Sequence, residues 1–403
     1  MGIVALSSTA CSTSPSPGPV AAPANCSSPD PGVSKTAVQV GAVFPQSGPD
    51  ASLFADAEAG MQARLFVQNA AGGVGGRKLV LHVADDGDGE QENLSAAHYL
   101  VSSQHVFGLI EVSGNSDGSG AYLHGLGVPV TGWAITPNWG QYPNMFGYHY
   151  STPPNAAGQP VTLNASFAKS HGGKRVAVLA GGNTESVDFV TQFTATLPAF
   201  GLTLAYENLH EQVGQTDFSF DAAAMARAGV DTLLTGLAPL ANIAVLNAAR
   251  AAGVPLKVVL LPAGYDARYA SAFAPVLEGA YVAIDWRPFE LPVAAHGEFE
   301  QALHTVSPST FPDQLAMVGW LSADTFIRGL EAAGARCPTR NAFVHNLRLV
   351  RNYTAGGLVP PTNFTTIFGK MPLCYWMLQV HSGHFVPVSD KPLCGQLLSE
   401  VRR

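Results

Sequence analysis

The apolar positions of this chain fall in short runs separated by amphipathic stretches, and the first such unit sets a theme. Val38-Gln39-Val40-Gly41-Ala42-Val43-Phe44 is apolar and β-branched, as a buried strand requires. Pro45-Gln46-Ser47-Gly48-Pro49 breaks it. Ala51 to Ala70 then places Leu53, Ala57, Met61, Leu65 and Val67 at helical spacing. Ala71-Gly72-Gly73-Val74-Gly75-Gly76 stops that helix, and Lys78 to Val83 alternates as a second strand before Asp85-Asp86-Gly87. Strand, helix and strand in this order build a parallel sheet with right-handed crossovers.

The pattern continues with a helix over Asn93 to Ser103, a strand over Val106 to Val112, a polar Gly-rich loop over Ser113 to Gly120 and a strand over Val128 to Thr131. Trp133 to Pro143 is an irregular aromatic loop, and Phe146 to Ser151 reads as a crossing segment. A second alternation starts at Lys174. Strands fall at Arg175–Ala180, Leu204–Tyr206, Asp231–Thr235, Leu256–Leu261 and Ala280–Ile284, with helices over Thr184–Phe200, Phe218–Ala228 and Pro239–Ala252 between them. The end differs. His296–Thr305, Gln314–Ala333 and Thr339–Leu349 are helical, and Cys374–Val380 with His384–Val388 flank a Ser382-Gly383 turn as a hairpin. An α/β fold of two doubly wound, Rossmann-like lobes is the economical reading.

Composition narrows the classes. At 403 residues the chain suits two domains. It is 47% hydrophobic and 12% charged, so it is globular. A net charge of −8 excludes the basic stripe that nucleic acid needs. No run approaches the roughly 18 apolar residues of a membrane helix. Met1 to Ala10 is short and apolar and ends Ser8-Thr9-Ala10-Cys11, similar to a bacterial lipoprotein cleavage box, with Ser8 where Leu is usual. Ser12 to Lys35, rich in Ser, Pro and Ala, follows as a tether. Cys11 is therefore the expected lipidation site. Of the five cysteines, Cys26, Cys337, Cys374 and Cys394 remain, and four allow three pairings. Outside the cytoplasm they should be oxidised, with Cys337 to Cys374 and Cys26 to Cys394 the expected pairs.

The opening unit also carries a resemblance. "VGAVFPQSG" followed by "GMQARLFVQNAAGGVGGRKLVLHVADD" resembles the start of the branched-chain amino-acid-binding (type I) periplasmic solute-binding proteins of ABC transporters. Asn69, Gly72, Gly73, Gly76, Arg77, Asp85 and Asp86 fall on that family's pattern. The resemblance implies two lobes crossed three times by the chain, near Tyr148, Asp285 and Ala355, with C-terminal helices returning to the first lobe. The expected division is a leader and tether over 1–35, a first lobe over 36–148 plus 286–355, and a second over 149–285 plus 356–403. It implies capture of a small amino-acid-like or apolar or aromatic carboxylate ligand, presentation to an ABC permease, work outside the cytoplasm, no cofactor and no catalysis.

Ligands of open α/β sheets bind beyond the carboxyl ends of strands. Four loops lie there. Gln46-Ser47-Gly48 is the first. Ser113-Gly114-Asn115 is the second, a strand feeding a short helix, whose N–H groups and hydroxyl suit a carboxylate; in the family the matching loop holds one. Trp133-Ala134-Ile135-Thr136 is the third, where the family offers a carbonyl and a hydroxyl to the ligand's ammonium; Ile135 takes the hydroxyl's usual place unless Thr136 does, and Trp133 suits an apolar or aromatic ligand. The fourth set is Asn183-Thr184-Glu185, Gly236-Leu237-Ala238 and Gly264-Tyr265-Asp266, where Glu185 or Asp266 could pair an ammonium or serve as helix-capping residues.

Other motifs point elsewhere. Gly114-Asn115-Ser116-Asp117-Gly118 matches G-x-S-x-G, which makes a serine hydrolase with Ser116 as nucleophile the rival reading; a ligand-sensing ectodomain is a third. Gly72 to Lys78 joins helix to strand, the wrong order for a phosphate loop. Asp85 to Glu90 misses full calcium-loop spacing, and His381 with His384 in a hairpin turn is weak as a metal site.

Overall fold

The computed structural model describes residues 18–21, 29–182, 184–212, 214–334 and 336–401. Cys11, Cys26 and Asn183 lie outside the described residues. Two sheets organise the rest. The first joins β1 (Ala37–Phe44), β2 (Lys78–Asp85), β3 (Gly108–Glu111), β4 (Val130–Gly132) and β5 (Met145–Gly147) in the order β2-β1-β3-β4-β5, all parallel. The second holds β6 (Arg175–Gly181), β7 (Thr203–Glu211), β8 (Thr232–Gly236), β9 (Val258–Leu261), β10 (Tyr281–Ile284), β11 (Cys374–His381), β12 (His384–Pro387) and β13 (Leu393–Cys394). Its parallel part runs β7-β6-β8-β9-β10, the same order as the first sheet, and the hairpin adds β11 antiparallel to β10 and β12 antiparallel to β11.

The helices that matter to the site are α1 (Ala57–Ala70), α2 (Asp117–Gly125), α3 (Thr184–Thr196), α4 (Pro239–Ala251), α5 (Ala267–Ala272), α6 (Ala294–Val306), α7 (Gln314–Ala333) and α8 (Arg340–Leu349). The sequence predicts one helix from Ala51 to Ala70; it breaks after Phe54, and Asp56 precedes α1. After β10 the chain leaves the second sheet, and α6 and α7 pack against α1 and β4 of the first. It crosses between the sheets three times, after β5, after β10 and before β11, as the two-lobed reading requires.

Packing of α7 on α1 depends on absent side chains. A Cβ on Gly60 would stand 1.8 Å from the Ala316 carbonyl oxygen, and one on Gly319 would stand 2.1 Å from that of Ala57. The two backbones therefore touch, and Leu315, Met317, Leu321, Phe326 and Leu330 of α7 are buried. Asp324, on the same helix, is paired to Arg64 Nε at 2.6 Å and accepts the Tyr353 hydroxyl at 2.7 Å.

The expected disulfides are corrected. Cys374 bonds Cys394, because β11 and β13 place them directly opposite in antiparallel register with Cα atoms 4.0 Å apart. A two-residue strand carries too little pattern to be read in sequence, so neither Cys337–Cys374 nor Cys26–Cys394 forms. Cys337 is disulfide-bonded as well.

Candidate functional site

In both sheets the order turns between the first and third strands of the unit, so the switch point at which such sheets bind ligands falls beyond the carboxyl ends of β1 and β3 and of β6 and β8. Register brings the ends level. Phe44 pairs with Asp85 and Val43 with Glu111 in the first sheet, and Ala180 with Gly236 in the second.

On the first lobe, the loops after β1, β2 and β3 are laced together by carboxylates. Ser47 donates its hydroxyl to Asp85 Oδ2 at 2.5 Å and its amide to Oδ1 at 3.2 Å. Ser113 is buried and donates its hydroxyl to Asp86 Oδ2, while its own Oγ accepts the Asn115 amide at 2.9 Å. Asn115 donates its side chain to Asp88 Oδ1 at 3.0 Å, and the Asp50 amide donates to Asp88 Oδ2 at 3.1 Å. The Ser113 hydroxyl expected to meet a ligand carboxylate is thus committed to a carboxylate of the protein.

The loop after β4 is built from within. Trp133 is half-buried with its ring edge-on to Phe54, centroids 6.2 Å apart. The Ala134 carbonyl accepts the Thr152 hydroxyl at 2.6 Å, and Ile135 is half-buried. Thr136 donates to Asn138 Oδ1 at 2.7 Å and lies 2.7 Å from the Ser116 hydroxyl. Ser116 is fully buried, accepts Trp139 Nε1 at 3.0 Å and has no histidine among its hydrogen-bond partners. A nucleophile without a base has no route to activation, and the hydrolase reading is withdrawn.

On the second lobe, Thr184 opens α3 and Glu185 lies in its first turn. Glu185 Oε2 stands 2.9 Å from where a Cβ on Gly114 would be, so the two walls meet here. Burial first, then the charges of Asp50 and Asp88, push the Glu185 carboxyl up to about 7. Burial and Asp88 push Asp50 up to about 6. Burial, then the Asp285, Tyr375 and Glu185 charges, raise the Tyr150 hydroxyl, so Tyr150 belongs to the same neighbourhood. Deeper in the first lobe, burial pushes Glu111 at the end of β3 up to about 8; one of its oxygens accepts Ser119 at 2.8 Å and the other has no partner.

Three predicted residues do other work. Leu237 is buried at the start of α4, its carbonyl accepting Asn242 Nδ2 at 3.1 Å. Tyr265 is buried among Trp286, Phe289 and Phe385, and its hydroxyl donates to Glu290 at 2.5 Å. Asp266 caps α5 by accepting the Arg268 amide at 2.7 Å. The crevice therefore gathers Gly114, Asn115 and Glu185 and leaves Tyr265 and Asp266 to a separate contact. Sequence reasoning missed Asp50, Asp88 and Tyr150; Asp88 was visible only within an acidic stretch short of calcium-loop spacing, and Tyr150 only within a crossing segment. At the crossings, the Tyr148 hydroxyl donates to Asp285 at 2.8 Å and ties the first passage to the second.

No metal-binding cluster and no helix long and apolar enough to cross a membrane is found among the described residues. The model of the family described as periplasmic binding protein matches residues 37–384. A search of curated proteins finds no match. Among solved structures, a fatty acid ABC transporter substrate-binding protein from Thermomonospora curvata superposes with a TM-score of 0.77 at 19% identity, covering 93% of this chain and 96% of that one. A branched-chain amino acid ABC transporter protein from Thermus thermophilus with bound valine gives 0.77 at 16% identity, covering 90% and 97%. A solute-binding protein from R. palustris in complex with benzoate gives 0.71 at 16% identity, covering 90% and 98%. At these identities the structures establish the shared fold, and the family match over most of the chain places it functionally: the protein belongs to the periplasmic binding proteins of type I, which bind solutes for ABC transporters outside the cytoplasm.

Proposed function

We propose that the crevice between the lobes captures a small ligand bearing an ammonium or similar cationic group. Closure about the three crossings buries the ligand for delivery to an ABC permease. The first lobe comprises 36–148 plus 286–355 and the second 149–285 plus 356–403, with Cys11 carrying the lipid that tethers the protein to a membrane. Ser47, Ser113, Gly114 and Asn115 form one wall, Thr184 and Glu185 the other, and Trp133, Ala134 and Ile135 the apolar floor.

The observation that carries the ligand's charge is the meeting of Glu185 with Gly114 beside Asp50 and Asp88. Among the described residues none of these carboxylates has an Arg or Lys ion-pair partner. A cation entering would supply the missing charge, whereas an anion would meet carboxylates and a serine hydroxyl already donated. Of the two expected ligand types, the amino-acid-like one is favoured over the plain apolar carboxylate.

A thermal-shift panel of leucine, leucinamide and benzoate tests this. Leucinamide, an amine without a carboxylate, is expected to raise the melting temperature, by about 2.7 kcal/mol of stabilisation at a hundredfold excess over Kd. Stabilisation by benzoate with none by either amine overturns the assignment.

A further inference from the structure

A second contact joins the lobes away from Glu185. Arg268 stands on α5 of the second lobe. Its Nη2 lies 3.1 Å from Asp56 Oδ2 and 3.0 Å from Asp313 Oδ2, while Nε reaches both oxygens of Asp266 at 3.0 and 2.9 Å. Asp56 precedes α1 and makes no capping hydrogen bond of its own, so its carboxylate is left for the guanidinium. Asp313 caps α7 through Oδ1, which accepts the Ala316 amide at 2.9 Å, leaving Oδ2 for the same purpose. Both α1 and α7 belong to the helix layer of the first sheet. Backbone links reinforce the contact: Asp266 and Asp313 form a β-bridge, and the Gln314 amide donates to the Tyr265 carbonyl at 3.1 Å. The Arg268 guanidinium also lies over the exposed Phe311 ring, 5.4 Å from its centroid.

We infer that Arg268 is a positioning residue that clamps the two lobes together, its planar fork holding Asp266 of its own lobe and Asp56 and Asp313 of the other, and so sets the balance between closed and open forms. The inference rests on the capture reading, in which the lobes part and close. Opening must break every cross-lobe bond of this fork, since Asp56 and Asp313 move with the first sheet and Arg268 with the second. Only a guanidinium presents several donors in one plane; an ammonium at this position keeps the charge and loses the geometry. The clamp acts on closure and does not touch ligand, so it changes apparent affinity through the population of the closed form.

Small-angle X-ray scattering of the full chain, without added ligand, tests the clamp separately from the ligand assignment. Arg268→Gln is expected to raise the radius of gyration and to lower the closed-to-open ratio roughly tenfold, with Arg268→Lys in between. Asp56→Asn, at a partly exposed position with no capping role, should move it the same way, and the double variant should go no further than Arg268→Gln alone. Asp56→Asn decides the matter should Arg268→Gln fail to fold. Scattering profiles of folded Arg268→Gln or Asp56→Asn that superpose on the parent overturn the clamp while leaving the thermal-shift test of capture untouched.

Discussion

The two lobes share a strand order and differ in what they place at its carboxyl ends. In the first, loops from three strands are cross-linked by Asp85, Asp86 and Asp88, each holding serine, asparagine or backbone donors. In the second, Glu185 stands in the first turn of a helix with no ion pair among the described residues. One wall is preorganised by its internal bonds, and the other brings a carboxyl without an ion pair to it. Polar loops on a doubly wound sheet can thus serve as scaffold or as reader, and hydrogen-bond saturation tells which.

The contrast can be broken first in the helix layers. Gly319→Ala drives a methyl into the Ala57 carbonyl of a packed pair of helices and is expected to cost about 3 kcal/mol or more, read as urea-midpoint loss. Gly236→Ala in the second lobe meets the Ser186 backbone only at 3.0 Å, and should cost less. A similar loss from both would erase the asymmetry.

The next test separates scaffold from reader. Ser113→Ala removes the hydroxyl donor of buried Asp86, leaving Oδ2 only the Asn93 side chain at 3.4 Å, and should cost about 1–3 kcal/mol of stability. Glu185→Gln, which removes the charge of a buried carboxyl held up to about 7, should not lower stability at neutral pH, while abolishing amine-induced stabilisation. Exchange of these outcomes would reverse the assignment of the walls.

Proton binding gives the third test. Asp50, Glu185 and Glu111 hold their protons up to about 6, about 7 and about 8, above the ordinary carboxylate range. Such groups bind protons more tightly folded than unfolded, so their contribution is full below the ordinary range and is lost as pH rises through those values. The melting temperature should therefore fall across that window, and Glu111→Gln should flatten the alkaline part of the fall. Amine binding should strengthen in the same direction as Glu185 ionises. A melting temperature that climbs through the window contradicts both.

Much of the fold was legible because it is written in periodicity. The β1–α1–β2 unit, the second alternation from Arg175, and the apolar stripe of α7 all follow from spacing alone. The site was legible as loops and not as chemistry. Ser113, Asn115 and Glu185 stand out in sequence because they follow strand ends. Asp88 was dismissed because a solvated acidic turn and one wired to Asn115 have the same residues. Asp266 read correctly as a helix cap, but its Arg268 clamp joins residues more than two hundred positions apart, which no local pattern encodes. The Cys374–Cys394 bond was missed for a related reason, since β13 exists only through pairing with β11.

Titration calorimetry of leucinamide against the parent chain and Glu185→Gln is the most direct measurement of ligand capture between the walls. Binding by the parent, with a loss of about tenfold or more in the variant, is the expected result. Equal affinity for the two proteins, or no heat with the parent while benzoate binds, would contradict it.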